Sequence, residues 1–250
     1  MLSVSLMSWK AAMAEFKTSA GQLVPVEIRR RKGTRHLRLS LGPANQIIAS
    51  LPWHCPDREC ARFIEKNRSW LEVQLRQTPA PMNLFEWFAK SPYLSASGDC
   101  FTVFINETGE KRLCYSFEKE GADVHLHLPL VGRDIAILKL VRNFAKDVLN
   151  ARVAYQARRL GLKYSKLTVR DQSSRWGSCT SSRAISLNWR LVLLEPTLQD
   201  YVILHELAHL KEMNHSPRFW KLLEAYDPQR SSHEKELDVV TPQLMRVGRS

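Results

Sequence analysis

Between residues 205 and 215 the chain reads His205-Glu206-Leu207-Ala208-His209, then five residues, then His215. Two histidines four apart on a helix lie one turn apart on the same face, so both imidazoles reach one point in space. Histidine nitrogens in that arrangement suit a zinc ion. A carboxylate next to the first of them is placed to take a proton from a water that the metal has made acidic. The chemistry expected is hydrolysis, with Glu206 as general base. A catalytic zinc uses three protein ligands and keeps a fourth position for water, so one more donor is needed. His215 is the leading candidate. Glu224, and beyond it Glu234 or Glu236, are the alternatives, giving a site of two histidines and a carboxylate. The expectation is one Zn2+ per chain, bound by His205, His209 and His215.

The elements that must hold these groups follow from the neighbouring pattern. Leu198, Tyr201, Val202, Leu207, Ala208 and Leu210 form an apolar stripe at helical spacing around the histidines. Pro196 and Thr197 fit a helix start, with Asp200 near its positive end. Asn214 tolerates the left-handed backbone that ends a helix, which would turn the chain just before His215. Ser216 then reads as an N-cap and Pro217 as the first residue of a further helix, to about Tyr226. Upstream, Lys166 to Arg170 and Ile185 to Val192 read as strands. Between them lies the loop Arg175-Trp176-Gly177-Ser178-Cys179, whose Arg175 is a candidate donor to substrate or to a developing oxyanion. Asn188 and Trp189 are expected to build the sheet. Cys179 is expected to be a packed thiol.

The residues from Val169 to Cys179, from Ile185 to Val192 and from His205 to Trp220 together resemble the YgjP-like metallopeptidase family, a minimal zincin fold distantly similar to the SprT-like proteases. The resemblance is dense from about Lys166 to Trp220, looser over Val26 to Leu71, and faint from Pro79 to Leu130. It implies a zinc-dependent peptidase fold with His205, His209 and His215 in the ligand positions and Glu206 as catalytic base. A nucleotide pyrophosphatase label also travels with some members of the family.

Other segments supply the frame. Val24 to Pro52 reads as short strands, and Pro56 to Gln77 as one amphipathic helix. Thr78-Pro79-Ala80-Pro81 is a break. Tyr93 to Leu128 reads as strands, with His125 and His127 on a polar edge. A long helix runs from about Ile135 to Leu160 and is ended by Gly161. In the charged tail after Ser231, Leu237, Val239, Val240 and Leu244 are candidate packing residues. The expected class is α+β: a β-rich N-terminal module over residues 1–130, then a zincin-like metallopeptidase domain over 131–250 with the metal-binding helix packed on a small sheet.

The 250 residues carry 37 basic and 25 acidic side chains, a net charge of +12, which favours anionic partners. The densest patch is Arg29-Arg30-Arg31-Lys32, read as part of a basic hairpin turning at Gly33-Thr34 and offered as a nucleic-acid contact. The alternative for this patch is a solvated strand edge. Five scattered cysteines argue against a disulfide framework and suit a reducing compartment. No apolar run is long enough to span a bilayer. Met1 to Phe16 lacks a basic run ahead of a sustained apolar stretch, so no secretory leader and a cytoplasmic location are expected; Met7 and Met13 are alternative starts. The expected partner is a protein or peptide substrate. The competing functions are a metal-dependent nucleotide pyrophosphatase and a nucleic-acid-binding module. Against the first, the chain has no G-x-x-x-x-G-K-[ST] loop; against the second, a purely structural metal site has no use for Glu206.

Overall fold

A strand buried on both faces must lie between neighbours, and Ile47-Ile48-Ala49-Ser50-Leu51-Pro52 is almost continuously buried. In the computed structural model, which describes residues 14–108, 113–118 and 120–249, this segment is an inner strand of the first sheet. The strands there are β1 (Ala14–Lys17), β2 (Leu23–Arg31), β3 (Arg38–Leu41) and β4 (Ile47–Pro52), in the order β1-β2-β4-β3. β4 pairs parallel to β2 and antiparallel to β3. The basic hairpin is therefore corrected: β2 and β3 are not partners, because the apolar β4 takes the place between them. The sites weighed as a leader or as alternative starts fall in residues 1–13, outside the described residues, apart from the last three residues of the leader segment, which belong to β1.

The helix expected over residues 56–77 is two helices, α1 (Asp57–Lys66) and α2 (Arg68–Gln77). Asn67 separates them at φ −103°, ψ 17°, and its side-chain amide donates to the Phe63 carbonyl at 2.7 Å. That local bond competes with the continuing helix. Ile64, Leu71, Cys55 and Cys60 pack with the buried residues of the sheet into a core of their own. The chain divides into two compact units, Met1–Pro81 and Met82–Gly248, and the boundary expected at residue 130 lies inside the second.

The second unit opens with a short helix, α3 (Leu84–Phe88), which the sequence reading passed over. A four-stranded sheet follows: β5 (Tyr93–Ala96), β6 (Asp99–Thr108), β7 (Cys114–Glu118) and β8 (Asp123–Pro129), in the order β5-β6-β8-β7. β8 alternates half-buried and buried residues; Val124, Leu126 and Leu128 face the core, and His125 and His127 the other side. Next comes α4 (Arg133–Arg159), with Ile137, Leu140, Val141, Phe144, Leu149 and Val153 buried. Gly161 ends it at φ +63°, a conformation that glycine adopts without steric cost.

The third sheet is small: β9 (Lys166–Arg170), β10 (Gly177–Cys179) and β11 (Ala184–Asn188), in the order β10-β11-β9. The strand expected to reach Val192 stops at Asn188, and Trp189–Leu193 is a 3₁₀ turn. Asn188 is the cause: its side-chain oxygen accepts from the Arg190 amide at 3.2 Å, capping the turn. Three helices complete the unit: α5 (Pro196–Ala208), α6 (Pro217–Tyr226) and α7 (Arg230–Leu244). α5 contacts β10, α6 and α7. The fold is α+β, with the helix that carries the histidines packed on a small sheet. Among the described residues no helix is long and apolar enough to cross a membrane.

Candidate metal centre

α5 begins with Pro196 at its first position and is buried along most of its length. His205 and Glu206 occupy its last turn and His209 is its C-cap residue. The chain then leaves the helix earlier than the sequence suggests. Leu210, Lys211 and Glu212 donate their amides back to Leu207 and Ala208, so the turn is complete before Asn214. Asn214 is not among the residues with positive φ, which corrects its reading as a left-handed terminator. Ser216 stands at the N-cap of α6, but its side chain makes no capping bond.

This turn brings His215 back over α5. The Nε2 atoms of His205 and His215 lie 3.1 Å apart, and the three histidines each offer a nitrogen within 4.8 Å of the other two. Two nitrogens on a tetrahedral zinc, each at ~2.0–2.1 Å, would be separated by about 3.3 Å. His209 donates from Nδ1 to the Glu212 carbonyl at 3.0 Å. That bond fixes the tautomer and leaves Nε2 with its lone pair free for a cation. Phe219 backs all three rings, stacked on His209 at 4.5 Å and edge-on to the other two. Burial, with the neighbouring imidazoles adding to it, pushes His205 down to about 3. His209 is lowered too, again by burial first. Three convergent imidazoles are a donor set that fits zinc.

Glu206 is 6% exposed, and its Oε2 is buried without a hydrogen-bond partner. A carboxyl in that environment resists ionisation: burial raises Glu206 to about 8, with the positive charge of Arg175 opposing the rise. The sequence reading overlooked the residue that makes room for it. A Cβ on Gly177 would lie 2.5 Å from Oε1 of Glu206 and 2.6 Å from its Cγ. The sequence reads Gly177 as part of a loop; its place at the start of β10, and so against Glu206, comes from pairing with Leu187 of β11.

Arg175 is exposed, and its positive charge acts on the Glu206 carboxyl. Asn188 is fully buried and donates to the Gln172 and Arg175 carbonyls at 2.9 and 3.0 Å; it shapes the Arg175 loop. Trp176 donates from its indole to Thr241 at 2.8 Å, tying the same loop to α7. Burial and the charge of Glu206 raise the Cys179 thiol, so it keeps its proton. Of the alternative ligands, Glu224 and Glu236 are exposed. Neither they nor Glu234 belong to the cluster; among the described residues the histidine triad is the one group of three or more that could hold a metal. In the first unit, Arg29 pairs with Glu27 at 2.6 Å and Arg30 with Asp57. Arg31 and Lys32 are exposed.

An α+β unit with three imidazoles and a buried carboxylate on and beside one helix has the architecture of a metallohydrolase. The chain matches the family described as YgjP-like, metallopeptidase domain, over residues 35–239, and it belongs to that family. No match is found among curated proteins. Among solved structures it is similar to the metallopeptidase zymogen abylysin of Pyrococcus abyssi, at 26% identity over 36% of this chain and 89% of that one, with a TM-score of 0.31.

Proposed function

We propose that this protein is a zinc-dependent peptidase in which His205, His209 and His215 hold one zinc ion and Glu206 is the general base. The observation that carries the reading is the pairing of three convergent imidazoles with a buried, unpartnered carboxylate oxygen beside them. Bound there, zinc would act as a Lewis acid, making water more acidic and polarising a peptide carbonyl. Glu206 takes the proton of the attacking water at its free oxygen and delivers it to the departing amide nitrogen. Arg175 adds a positive charge beside the reacting centre and is the candidate partner of the developing oxyanion. A nucleotide pyrophosphatase would call for carboxylates to hold magnesium, and among the described residues no group of three or more of them comes together as a metal site.

Metal analysis and a proteolysis assay on one sample test the reading. The purified chain should carry about one zinc, and His205→Ala, His209→Ala and His215→Ala should each lose most of it. Glu206→Gln should keep zinc and fold but cleave an unfolded protein substrate at least ~100-fold more slowly. Cleavage by Glu206→Gln at the wild-type rate would remove Glu206 from the mechanism. Absence of cleavage by the zinc-loaded wild type would overturn the peptidase reading.

A further inference from the structure

A cavity of about 230 Å³ adjoins the triad, with His205 and Glu206 in its wall. Trp176, Val202 and Leu237, all buried, give it apolar sides. Glu234 and Asp238 also line it. They stand four residues apart on α7 and therefore on one helix face. Two carboxylates in the wall of this cavity are notable in a chain of net charge +12. Glu234 shares its charge with Arg230 at 3.6 Å, and Arg230 itself lies over the Trp220 ring at 5.0 Å. Asp238 is exposed and, among the described residues, forms no ion pair. Tyr201, 4% exposed, lines the same cavity. Its phenol is raised by burial and then by Glu234, with Asp227 and Asp238 adding and Arg230 opposing. Both carboxylates thus lie within electrostatic reach of the cavity wall. The unpartnered Oε2 of Glu206 marks the end where the reaction is proposed to occur.

We propose that this cavity is a substrate subsite that selects a lysine or arginine side chain next to the scissile bond. The inference rests on the peptidase reading and names its substrate class. The methylene stem of a lysine or arginine packs on apolar walls while its charge remains in a wetter place, and the lining offers both: buried Trp176 and Leu237, and exposed Asp238. Like charges one turn apart repel each other, and a cation between them relieves the repulsion. An acidic side chain would add a third negative charge, and an aliphatic one would leave Asp238 unanswered.

The test uses the full-length, zinc-loaded Glu206→Gln protein and short peptides that differ at one position: lysine, arginine, norleucine or glutamate. Binding is read by fluorescence anisotropy. Lysine and arginine peptides should bind roughly 5- to 10-fold more tightly than norleucine, and glutamate most weakly. Adding Glu234→Gln and Asp238→Asn should bring the ratio of lysine to norleucine near one. Asp238→Lys should reverse the preference toward glutamate. Equal binding of lysine and norleucine peptides, a preference that survives both substitutions, or failure of the lysine peptide to bind overturns the proposal. Cleavage by the wild-type protein separates the two levels. Hydrolysis without a basic preference removes the subsite and keeps the peptidase, whereas selective binding without hydrolysis removes the peptidase and keeps the subsite.

Discussion

At the scale of single residues, the site depends on one missing methyl group. Gly177 passes so close to Glu206 that a Cβ would lie 2.5 to 2.7 Å from three of its side-chain atoms. Gly177→Ala must therefore push the carboxyl aside, and displacement by about 1 Å at a reacting group costs on the order of 100-fold in rate. The expected outcome is a protein that binds zinc like the wild type and hydrolyses ~100-fold more slowly. Retention of full activity would show that Glu206 has room to move. Glu206 also sets a pH signature once the metal is stripped. Folded, it keeps its proton to about pH 8; unfolded, it releases it near its ordinary value of about 4.3. Unfolding then releases a proton across that interval, so stability falls as pH rises. His205, lowered to about 3, acts in the opposite sense, because unfolding takes up a proton until its ordinary value near 6.5. The two oppose each other up to about pH 6.5, and above it the Glu206 effect stands alone. Chelator-treated protein should lose roughly 2 kcal/mol between pH 6.5 and 8, measured by urea unfolding. The same measurement on Glu206→Gln should show no such loss.

At the scale of elements, the loop that carries Arg175 is held from behind by a buried charge. Arg190 is fully buried; it donates from Nε to the Val247 carbonyl at 2.8 Å and from Nη1 to Asp171 at 2.7 Å. Asp171 also accepts from the Trp189 indole at 3.2 Å and pairs with Arg142 on α4. Asp171→Ala removes one acceptor of the buried Arg190, whose bonds to Val247 and Asn188 remain, which costs about 1–3 kcal/mol. A fall in Tm of roughly 5 °C is expected, and an unchanged Tm would mean that Asp171 contributes nothing to stability. This network also shows what could be read in advance. The histidines of α5, the Gly161 end of α4 and the Pro217 start of α6 are local patterns, and they were legible because a helix is specified within a few residues. His215 was reachable by spacing, although the turn that delivers it is closed by Ala208 and Leu207 and not by Asn214. The place of β4 between β2 and β3, the fit of Gly177 against Glu206 and the tie from Trp176 to Thr241, 65 residues on, were not legible. Each depends on a partner distant in sequence, and no periodicity encodes it. α7 was read only as a tail with four packing candidates. Leu237 and Leu244 are buried as expected, while Val239 is 80% exposed.

At the scale of the whole molecule, the positive charge is unevenly committed. Of the basic run in β2, Arg29 and Arg30 are engaged by Glu27 and Asp57, and Arg30 also donates to the Cys55 carbonyl. Their charges are partly neutralised, and their guanidiniums hold the strand and the start of α1. Arg31, Lys32, Arg35, His36 and Arg38 are exposed, and Lys32 lies over the exposed Trp53 at 5.9 Å. If the connection from β2 to β3 contacts phosphates, those exposed groups supply the contacts. Each lost contact should reduce the slope of log affinity against log salt by roughly 0.7 to 0.9. Replacing Arg31 and Lys32 by Ser should therefore flatten the salt dependence of nucleic-acid binding by about 1.4 to 1.8. Replacing Arg29 should change it little, and replacing Arg30 should lower stability before it lowers affinity. Zinc content should be the same in all of them. Binding that is weak at low salt, or whose salt slope is the same in wild type and the Arg31, Lys32 variant, would leave this connection as a solvated strand edge. The net charge would then act through solubility and general attraction of anions, and the carboxylates beside the histidine triad would be the feature that chooses the substrate.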